Sequence, residues 1–230
     1  PGRGAAPAAG GAARRVRTAG RGRVEQCLAE RSEQGHGHPR CGADPDGVKK
    51  TVDMLLKAER PVILVGQGVR YGGATDDLLA LAEKLQIPVA HSMSGIGAID
   101  TQHPLSLGLL SRGGAYQANG AARQADVLLA LGVRFDDRTS SSWIPGYSFT
   151  IPPTKLIHVD IDPEEIGRNY PVELGLMADV RTFLRQVLAE LDTRKGVADA
   201  AASRRKWLAT IDGYRKEWEK FIAPGFVDDS

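Results

Sequence analysis

The chain contains very few cysteines. Only Cys27 and Cys41 occur in 230 residues, and both lie near the N terminus. Two cysteines cannot build the disulfide framework of a small secreted domain. They also lack the paired short spacings of a zinc finger, although His36 and His38 stand between them. We therefore expect no disulfide framework and no metal site.

Long apolar runs are also missing from the sequence. No stretch reaches the roughly 20 apolar residues that a membrane-spanning helix needs, and no signal-peptide pattern is recognisable. These absences favour a cytoplasmic protein without a membrane partner.

The charge balance gives little support to a nucleic-acid partner. The formal net charge is +2 and the sequence pI is about 8.7. The basic excess lies largely in the first forty residues, at Arg3, Arg14, Arg15, Arg17, Arg21 and Arg23. Because the rest of the chain is near neutral or acidic, we predict no nucleic-acid site.

The sequence divides into three segments. Residues 1–43 are rich in Gly, Ala and Arg and too poor in large apolar residues to order themselves, so they are either a basic disordered arm or an artefact of a wrongly assigned start. Residues 44–195 carry the pattern of one domain. Residues 196–230 are predicted to form a C-terminal helix and the start of a linker. Since the chain begins at Pro1 rather than Met, we expect a fragment of a longer protein.

Residues 44–195 alternate between predicted strands and helices. Short apolar runs predict strands at 62–66, 87–92, 127–131 and 155–162, with an edge strand at 172–177. Helical periodicity predicts helices at 46–58, 75–85, 115–125 and 180–191, a short helix at 163–167 and one long charged helix at 198–221. This order predicts an α/β fold: a doubly wound, mostly parallel sheet of about six strands with helices on both faces.

The central strand delivers charged side chains at its carboxyl end. The apolar run from Val127 to Leu131 stops at Gly132, and Arg134, Asp136 and Arg138 follow at once. Open α/β sheets bind ligands at this edge. The residues alone leave a plainer alternative open, in which the arginines pair with Asp136 and Asp137 on a solvated loop.

The glycine turn after the first strand also admits two interpretations. Gly66 and Gly68 lie between a strand and a helix, where backbone N–H groups can cradle a phosphate, but they equally suit a tight connection with no ligand. The spacing is not that of the dinucleotide fingerprint, and no acidic residue follows the strand at 87–92. A conventional nicotinamide-binding unit is therefore disfavoured. His103 and His158 are predicted to be structural.

Four segments in the same order resemble a known family. They are Arg60 to Val69, His103 to Gly108, Ala125 to Arg138 and Ile157 to Gly167. Through them the chain, from about Asp44 to Leu191, is similar to the central domain of thiamine-pyrophosphate-dependent enzymes, and most like the catalytic large subunit of acetolactate synthase.

The resemblance implies a larger enzyme. In that family each subunit has three α/β domains, and the first and third bind thiamine pyrophosphate and Mg²⁺ across a dimer interface, with a glutamate and a Gly-Asp-Gly motif. This chain has no Gly-Asp-Gly triplet. The resemblance therefore implies that the chain alone is inactive, has no catalytic or metal-binding residue, and needs the missing pyrimidine- and pyrophosphate-binding domains. It also implies a parent homo-oligomer acting on small 2-keto acids.

The resemblance further implies that this domain binds FAD, an ADP-like nucleotide, or nothing. The positions that match flavin contacts are Gly66 and Gly68 for the diphosphate, Ser92, Met93 and Ser94 on the flavin side, Gly132, Arg134, Asp136 and Arg138 for the diphosphate and ribityl groups, Glu165 and Ile166, and Asp179 for the adenine.

Two departures leave the ligand open. The family's triple-glycine turn is Gly-Gln-Gly here, and its Gly-Met-His-Gly block is replaced by Ser-Arg-Gly-Gly at 111–114. A non-catalytic nucleotide-binding or interaction module of the same fold remains the main alternative. An NAD-dependent deacylase-like enzyme is disfavoured, because the chain lacks a cysteine zinc module and a histidine at a loop position suited to a base.

Overall fold

A computed structural model describes residues 40–223 of the chain. Within that range, six strands form one sheet with helices packed around it. Our predictions for residues 1–39 and 224–230 lie outside the described residues, and the predicted segment boundaries stay predictions.

The described elements follow the predicted alternation. The helices are α1 (Pro45–Lys57), α2 (Gln67–Tyr71), α3 (Thr75–Leu85), α4 (Tyr116–Gln124), α5 (Val180–Asp192), α6 (Val197–Ser203) and α7 (Arg205–Ile222). The strands are β1 (Pro61–Val65), β2 (Val89–His91), β3 (Ser106–Leu109), β4 (Val127–Leu131), β5 (Lys155–Asp160) and β6 (Leu174–Met177). None of these helices is long and apolar enough to cross a membrane.

The strands lie in the order β3-β2-β1-β4-β5-β6, and every neighbouring pair is parallel. All five residues of β1 and all five of β4 are buried. Strands buried on both faces explain the apolar runs without alternation. The predicted doubly wound, parallel α/β fold is confirmed, and β3 lies in a stretch to which the sequence assigned no element.

The sheet separates two apolar cores. Ile63 and Val65 of β1 point into one core, which α1, α3 and α5 cover. The alternate residues Val62 and Leu64 point into the other, which includes Trp207 of α7. Because successive strand residues face opposite sides, one apolar strand supplies side chains to both cores.

The start of α1 shows how the sequence fixes a boundary. The Asp44 carboxylate accepts hydrogen bonds from the backbone N–H groups of Asp46 and Gly47, both at 3.0 Å. Pro45 occupies the first helical position, where its missing N–H costs nothing.

The predicted short helix at 163–167 is wrong, because these residues form turns. Asp162 does accept the N–H of Glu164 at 3.0 Å, as a helix cap would. However, Gly167 has a φ of +74°, in the left-handed region, and this ends the segment after one turn.

The predicted single helix at 198–221 is also wrong, because the chain forms α6 and α7 with a break at Arg204. The Arg204 side chain is fully buried and donates to the carbonyls of Leu55 and Leu85, near the ends of α1 and α3. Burial lowers the pKa of Arg204 to about 10, which leaves it protonated at neutral pH. The break places this cation against two helix C-termini, where positive charge is favourable.

The glycine turn differs from its prediction as well. It leads into the short helix α2 and only then into α3, which begins at Thr75 as predicted. The extra helix keeps Gly66 and Gly68 against the sheet edge, a full element away from the start of α3.

Candidate functional site

The strand order places a switch point between β1 and β4. From β1 the chain moves outward to β2 and β3, and it then returns to β4 and moves outward to β5 and β6. The two connections therefore leave the sheet in opposite directions beside the carboxyl ends of β1 and β4. Open α/β sheets bind ligands in the crevice at such a point.

The loops after β1 and β4 touch each other through their backbones. The N–H of Gly66 donates to the carbonyl of Leu131 at 3.0 Å, and that of Gly68 to the carbonyl of Gly132 at 3.5 Å. A Cβ atom on Gly66 would lie 2.0 Å from the Gly132 oxygen. The two glycine amides are therefore engaged within the protein, and an anion at this edge needs other donors. Of the two interpretations of the glycine turn, this favours a tight connection without a ligand over a cradle of free amides for a phosphate.

The end of β2 brings Ser92, Met93 and Ser94 to the same edge. Ser92 is buried, and its N–H donates to the carbonyl of Val65 at 2.9 Å. Met93 and Ser94 are exposed. Only these two side chains of the predicted flavin-side group are open to a ligand.

The loop after β4 carries Arg134, Asp136 and Arg138, and all three side chains are exposed. Asp136 accepts the N–H of Thr139 at 2.8 Å, which shapes the turn. Within residues 40–223, neither arginine forms an ion pair with Asp136 or Asp137. The alternative in which the charges of this loop neutralise one another in pairs is therefore wrong.

Glu165 is the buried acid of the site. Its side chain is 9% exposed, and Oε1 lies 2.9 Å from Nη1 of Arg168 and 3.9 Å from Nε of Arg134. Its other oxygen, Oε2, is buried without a hydrogen-bond partner among the described residues. An unpaired buried carboxylate oxygen is costly, so a donor at this position would be favourable. The neighbouring Ile166 is half-buried and packs against Gly175.

His158 links the loops after β4 and β5, as expected of a structural histidine. Its Nε2 lies 2.8 Å from the carbonyl of Val133, and Nδ1 lies 3.4 Å from the N–H of Gly167. Burial lowers the pKa of His158 below its ordinary value. This effect outweighs the hydrogen bond to Val133 and the nearby carboxylates of Asp160 and Glu165, which act in the opposite direction. A neutral ring that donates from Nε2 and accepts at Nδ1 satisfies both contacts.

Asp179 stands at the far end of the edge, as the N-cap of α5. Its Oδ1 accepts from the backbone N–H and the hydroxyl of Thr182, both at 3.0 Å. Arg40 approaches the same oxygen at 3.4 Å and also donates to the carbonyl of Gly72. Sequence reasoning missed Arg40, because it lies in the segment assigned to disorder.

Together, the predicted contact residues follow the carboxyl ends of five neighbouring strands, from β2 to β6. Four interstrand steps span about 19 Å at the usual strand spacing. This length suits an extended ligand with two ends better than a single phosphate. Within residues 40–223, no group of three or more His, Cys, Asp or Glu side chains is placed to hold a metal ion.

Comparison with known proteins gives the following similarities. The family described as "Thiamine pyrophosphate enzyme, central domain" matches residues 48–187. The chain is 37% identical over 178 residues to a probable acetolactate synthase large subunit of Methanocaldococcus jannaschii, covering 77% of this chain and 29% of that protein. It is 34% identical over 168 residues to acetolactate synthase isozyme 3 large subunit of Escherichia coli, covering 73% and 28%.

A probable acetolactate synthase large subunit of Methanococcus aeolicus is 39% identical over 156 residues, with coverage of 68% and 24%. The chain thus spans less than a third of the length of the relatives that it matches.

Proposed function

We propose, from the premise that this chain belongs to the thiamine pyrophosphate enzyme family as its central domain, that it is the nucleotide-binding part of an acetolactate-synthase-type enzyme. The single observation that carries the binding proposal is the buried, unpartnered Oε2 of Glu165 at the carboxyl edge of the sheet.

A nucleotide meets the requirement of Glu165 through its sugar. A ribose or ribityl hydroxyl is a neutral donor, and it can satisfy Oε2 without adding charge to a buried position. Asp179 lies one strand further along the edge, after β6, where the adenine would follow the ribose. Arg134, beside Glu165, would meet the diphosphate. The adenosine end would therefore lie over β5 and β6.

The choice between FAD and an ADP-like nucleotide depends on the other end of the ligand. Of the predicted contact residues after β2, only Met93 and Ser94 are exposed, and the family's Gly-Met-His-Gly block is absent from the loop after β3. The ADP portion is common to both ligands, and the residues on the β4 to β6 side fit it. We therefore expect ADP to bind, whether or not a flavin is retained.

The first experiment is the absorbance spectrum of the purified chain, followed by mass spectrometry of any released nucleotide. A flavin spectrum near one equivalent supports an FAD-binding parent enzyme, whereas a colourless protein with bound ADP supports a non-flavin relative. A protein that releases no nucleotide, and that shows no heat on calorimetric titration with ADP or FAD, contradicts the binding proposal.

Glu165→Gln tests the residue that carries the proposal. The substitution removes the carboxylate that would accept the sugar hydroxyl, so we expect ADP affinity to fall about tenfold. Glu164→Gln is the matched control, because its side chain is exposed one residue away. Equal affinities for the two variants, with unchanged thermal stability, would contradict the assignment.

The parent enzyme, in this proposal, decarboxylates a 2-keto acid and joins the remaining fragment to an acceptor, as in branched-chain amino-acid biosynthesis. Thiamine pyrophosphate with Mg²⁺ supplies the carbon nucleophile and is held by other domains. This chain supplies nucleotide binding and scaffold in a cytoplasmic homo-oligomer.

Activity assays of the chain test that division of labour. We expect no acetolactate from pyruvate with thiamine pyrophosphate and Mg²⁺ added, because the chain has no Gly-Asp-Gly triplet and residues 40–223 hold no group of three or more His, Cys, Asp or Glu side chains placed for a metal ion. Sequencing the flanking coding region separates the enzyme from its alternative. Flanking domains with the glutamate and the Gly-Asp-Gly motif support the enzyme, and their absence supports a non-catalytic binding module.

A further inference from the structure

The loop after β3, residues 111–114, is joined to the loop after β4 through one residue, Arg112. The backbone N–H of Arg112 donates to the carbonyl of Arg138 at 3.3 Å. Its guanidinium donates to the hydroxyl of Ser142 at 2.5 Å, and its carbonyl accepts from the hydroxyl of Tyr147 at 3.3 Å. Two backbone contacts and one side-chain contact therefore hold this exposed arginine between the two loops.

The loop after β4, which Arg112 contacts at Ser142, has an unusual backbone that several hydrogen bonds hold in place. Ser141, Ser142 and Trp143 all have φ values between +52° and +56°, which few residues other than glycine adopt. Side-chain bonds hold this turn, from Ser141 to the Ser148 hydroxyl at 2.6 Å and from the Trp143 indole to the Phe135 carbonyl at 2.9 Å. A non-glycine backbone of this kind persists only where surrounding contacts determine it.

The local charges do not cancel once Arg112 is included. The segment from Arg134 to Arg138 contains two arginines and two aspartates and sums to zero. The backbone N–H of Arg112 contacts the carbonyl of Arg138, and adding the charge of Arg112 raises the sum over these two loops to +1. Neither Arg112 nor Arg138 forms an ion pair with any residue in the described part of the chain. The rim between these two loops thus carries one more positive charge than the two aspartates of the loop after β4 can balance.

We propose that Arg112, with Arg138 beside it, binds a phosphoryl group of the ligand at the carboxyl edge. This inference rests on the proposed nucleotide function, in which Arg134 meets the diphosphate, and it adds Arg112 of the loop after β3 to the anion-binding side chains. The amides of Gly66 and Gly68 are occupied by backbone carbonyls, so they do not compete for the phosphate. Guanidinium groups match phosphate oxygens with paired N–H donors. Gly113, next in the loop, borders open space where a ligand can approach.

Arg112 is therefore a determinant of ligand choice. It favours a ligand that presents a phosphoryl group to this rim over one that presents only a neutral ring.

The test is calorimetric titration of the full chain with ADP, adenosine and inorganic pyrophosphate at low ionic strength. The variants are Arg112→Gln, which removes the charge, and Arg112→Lys, which keeps it. Arg123→Gln is the control, because Arg123 also donates to the same loop, at the Tyr147 carbonyl, from the other end of α4. We expect Arg112→Gln to weaken ADP and pyrophosphate about tenfold and to leave adenosine unchanged. Arg112→Lys should recover part of the loss.

The outcomes separate this inference from the proposed function. If Arg112→Gln binds ADP as tightly as the unmodified chain, or loses adenosine and ADP equally, the inference fails while nucleotide binding stands. If pyrophosphate binding depends on Arg112 but neither adenosine nor ADP binds better than pyrophosphate, the anion site stands and the nucleotide function fails. If the unmodified chain binds none of the three probes, both are overturned.

Discussion

Two glycines at the switch point are required by contacts between backbones. Gly132 has a φ of +60°, and a Cβ on it would lie 2.6 Å from the Cα of Gly68. A Cβ on Gly66 would lie closer still to a backbone oxygen of the opposite loop. Backbone atoms at such distances cannot move aside as a flexible side chain can, so these positions need glycine for folding itself.

We expect Gly66→Ala to lower the free energy of unfolding by about 3 kcal/mol, at the upper end for an overpacked site. Gly213→Ala provides the contrast, because Gly213 lies exposed in α7 with no neighbouring atom in its way. Alanine there should raise the free energy of unfolding by roughly 0.5–1 kcal/mol. Urea unfolding of both variants measures the difference, and similar values for the two would contradict the explanation.

His158 makes the stability of the fold sensitive to pH. Burial holds its pKa below the ordinary value of 6.5, so the folded protein keeps the ring neutral when the unfolded chain has already taken up a proton. The stability that depends on the neutral ring is therefore present above pH 6.5. It is lost as the pH falls from 6.5 toward the folded-state pKa.

The contribution of His158 has a measurable size. Because of His158, we expect the free energy of unfolding to fall by at most about 1.4 kcal/mol for each pH unit below 6.5. In His158→Gln, where the amide can still donate to Val133, this part of the pH dependence should disappear. Urea unfolding between pH 7 and pH 5 compares the two proteins. Parallel pH profiles would contradict the assignment to His158.

At the scale of elements, α7 is buried along its first half only. Trp207 is 3% exposed and its indole N–H donates to the carbonyl of Pro61 at 3.2 Å. Tyr214 and Trp218 reach Tyr116 of α4, with ring centroids about 6 Å apart. Phe221, at the end of the helix, is 75% exposed. The aromatic side chains of α7 thus contact the core at the start of the helix and lie on the surface at its end.

We expect Trp207→Ala to lower the free energy of unfolding by about 3–5 kcal/mol, because it leaves a cavity and an unpaired carbonyl. Phe221→Ala, in the same helix, should change it by less than about 0.5 kcal/mol. Thermal unfolding followed by circular dichroism is sufficient to distinguish these values. A large loss on substituting Phe221 would show that the end of α7 packs against something further.

At the scale of the whole molecule, the parallel sheet brings ligand-contact candidates from five separate loops to one edge. A ligand that bridges these loops binds the folded chain and not the unfolded one. Binding is therefore linked to global stability.

ADP at 100 times its dissociation constant should add about 2.7 kcal/mol to the free energy of unfolding. For a chain of this size we expect the melting temperature to rise by roughly 5–10 °C. Differential scanning calorimetry with ADP, and with adenosine as the comparison, measures the rise. A melting temperature that does not change at millimolar ADP would contradict nucleotide binding by the whole fold.

The sequence by itself determined the architecture of this protein, a parallel sheet with helices packed around it. Strands such as β1 and β4 are buried on both faces and therefore show as uninterrupted apolar runs, and caps such as Asp44 mark a helix start through local hydrogen bonds. The sequence also showed that polar residues follow directly after the apolar strands, because those residues are neighbours along the chain.

Only the tertiary structure decided which of those residues are free to act. It shows that the amides of Gly66 and Gly68 are occupied, that Glu165 keeps an unpaired oxygen, and that Arg112 lies against Arg138. It also breaks the last helix at Arg204, whose partners lie 149 and 119 residues away in the chain. These features depend on contacts between distant segments, and a local sequence pattern carries no information about which distant groups it will meet.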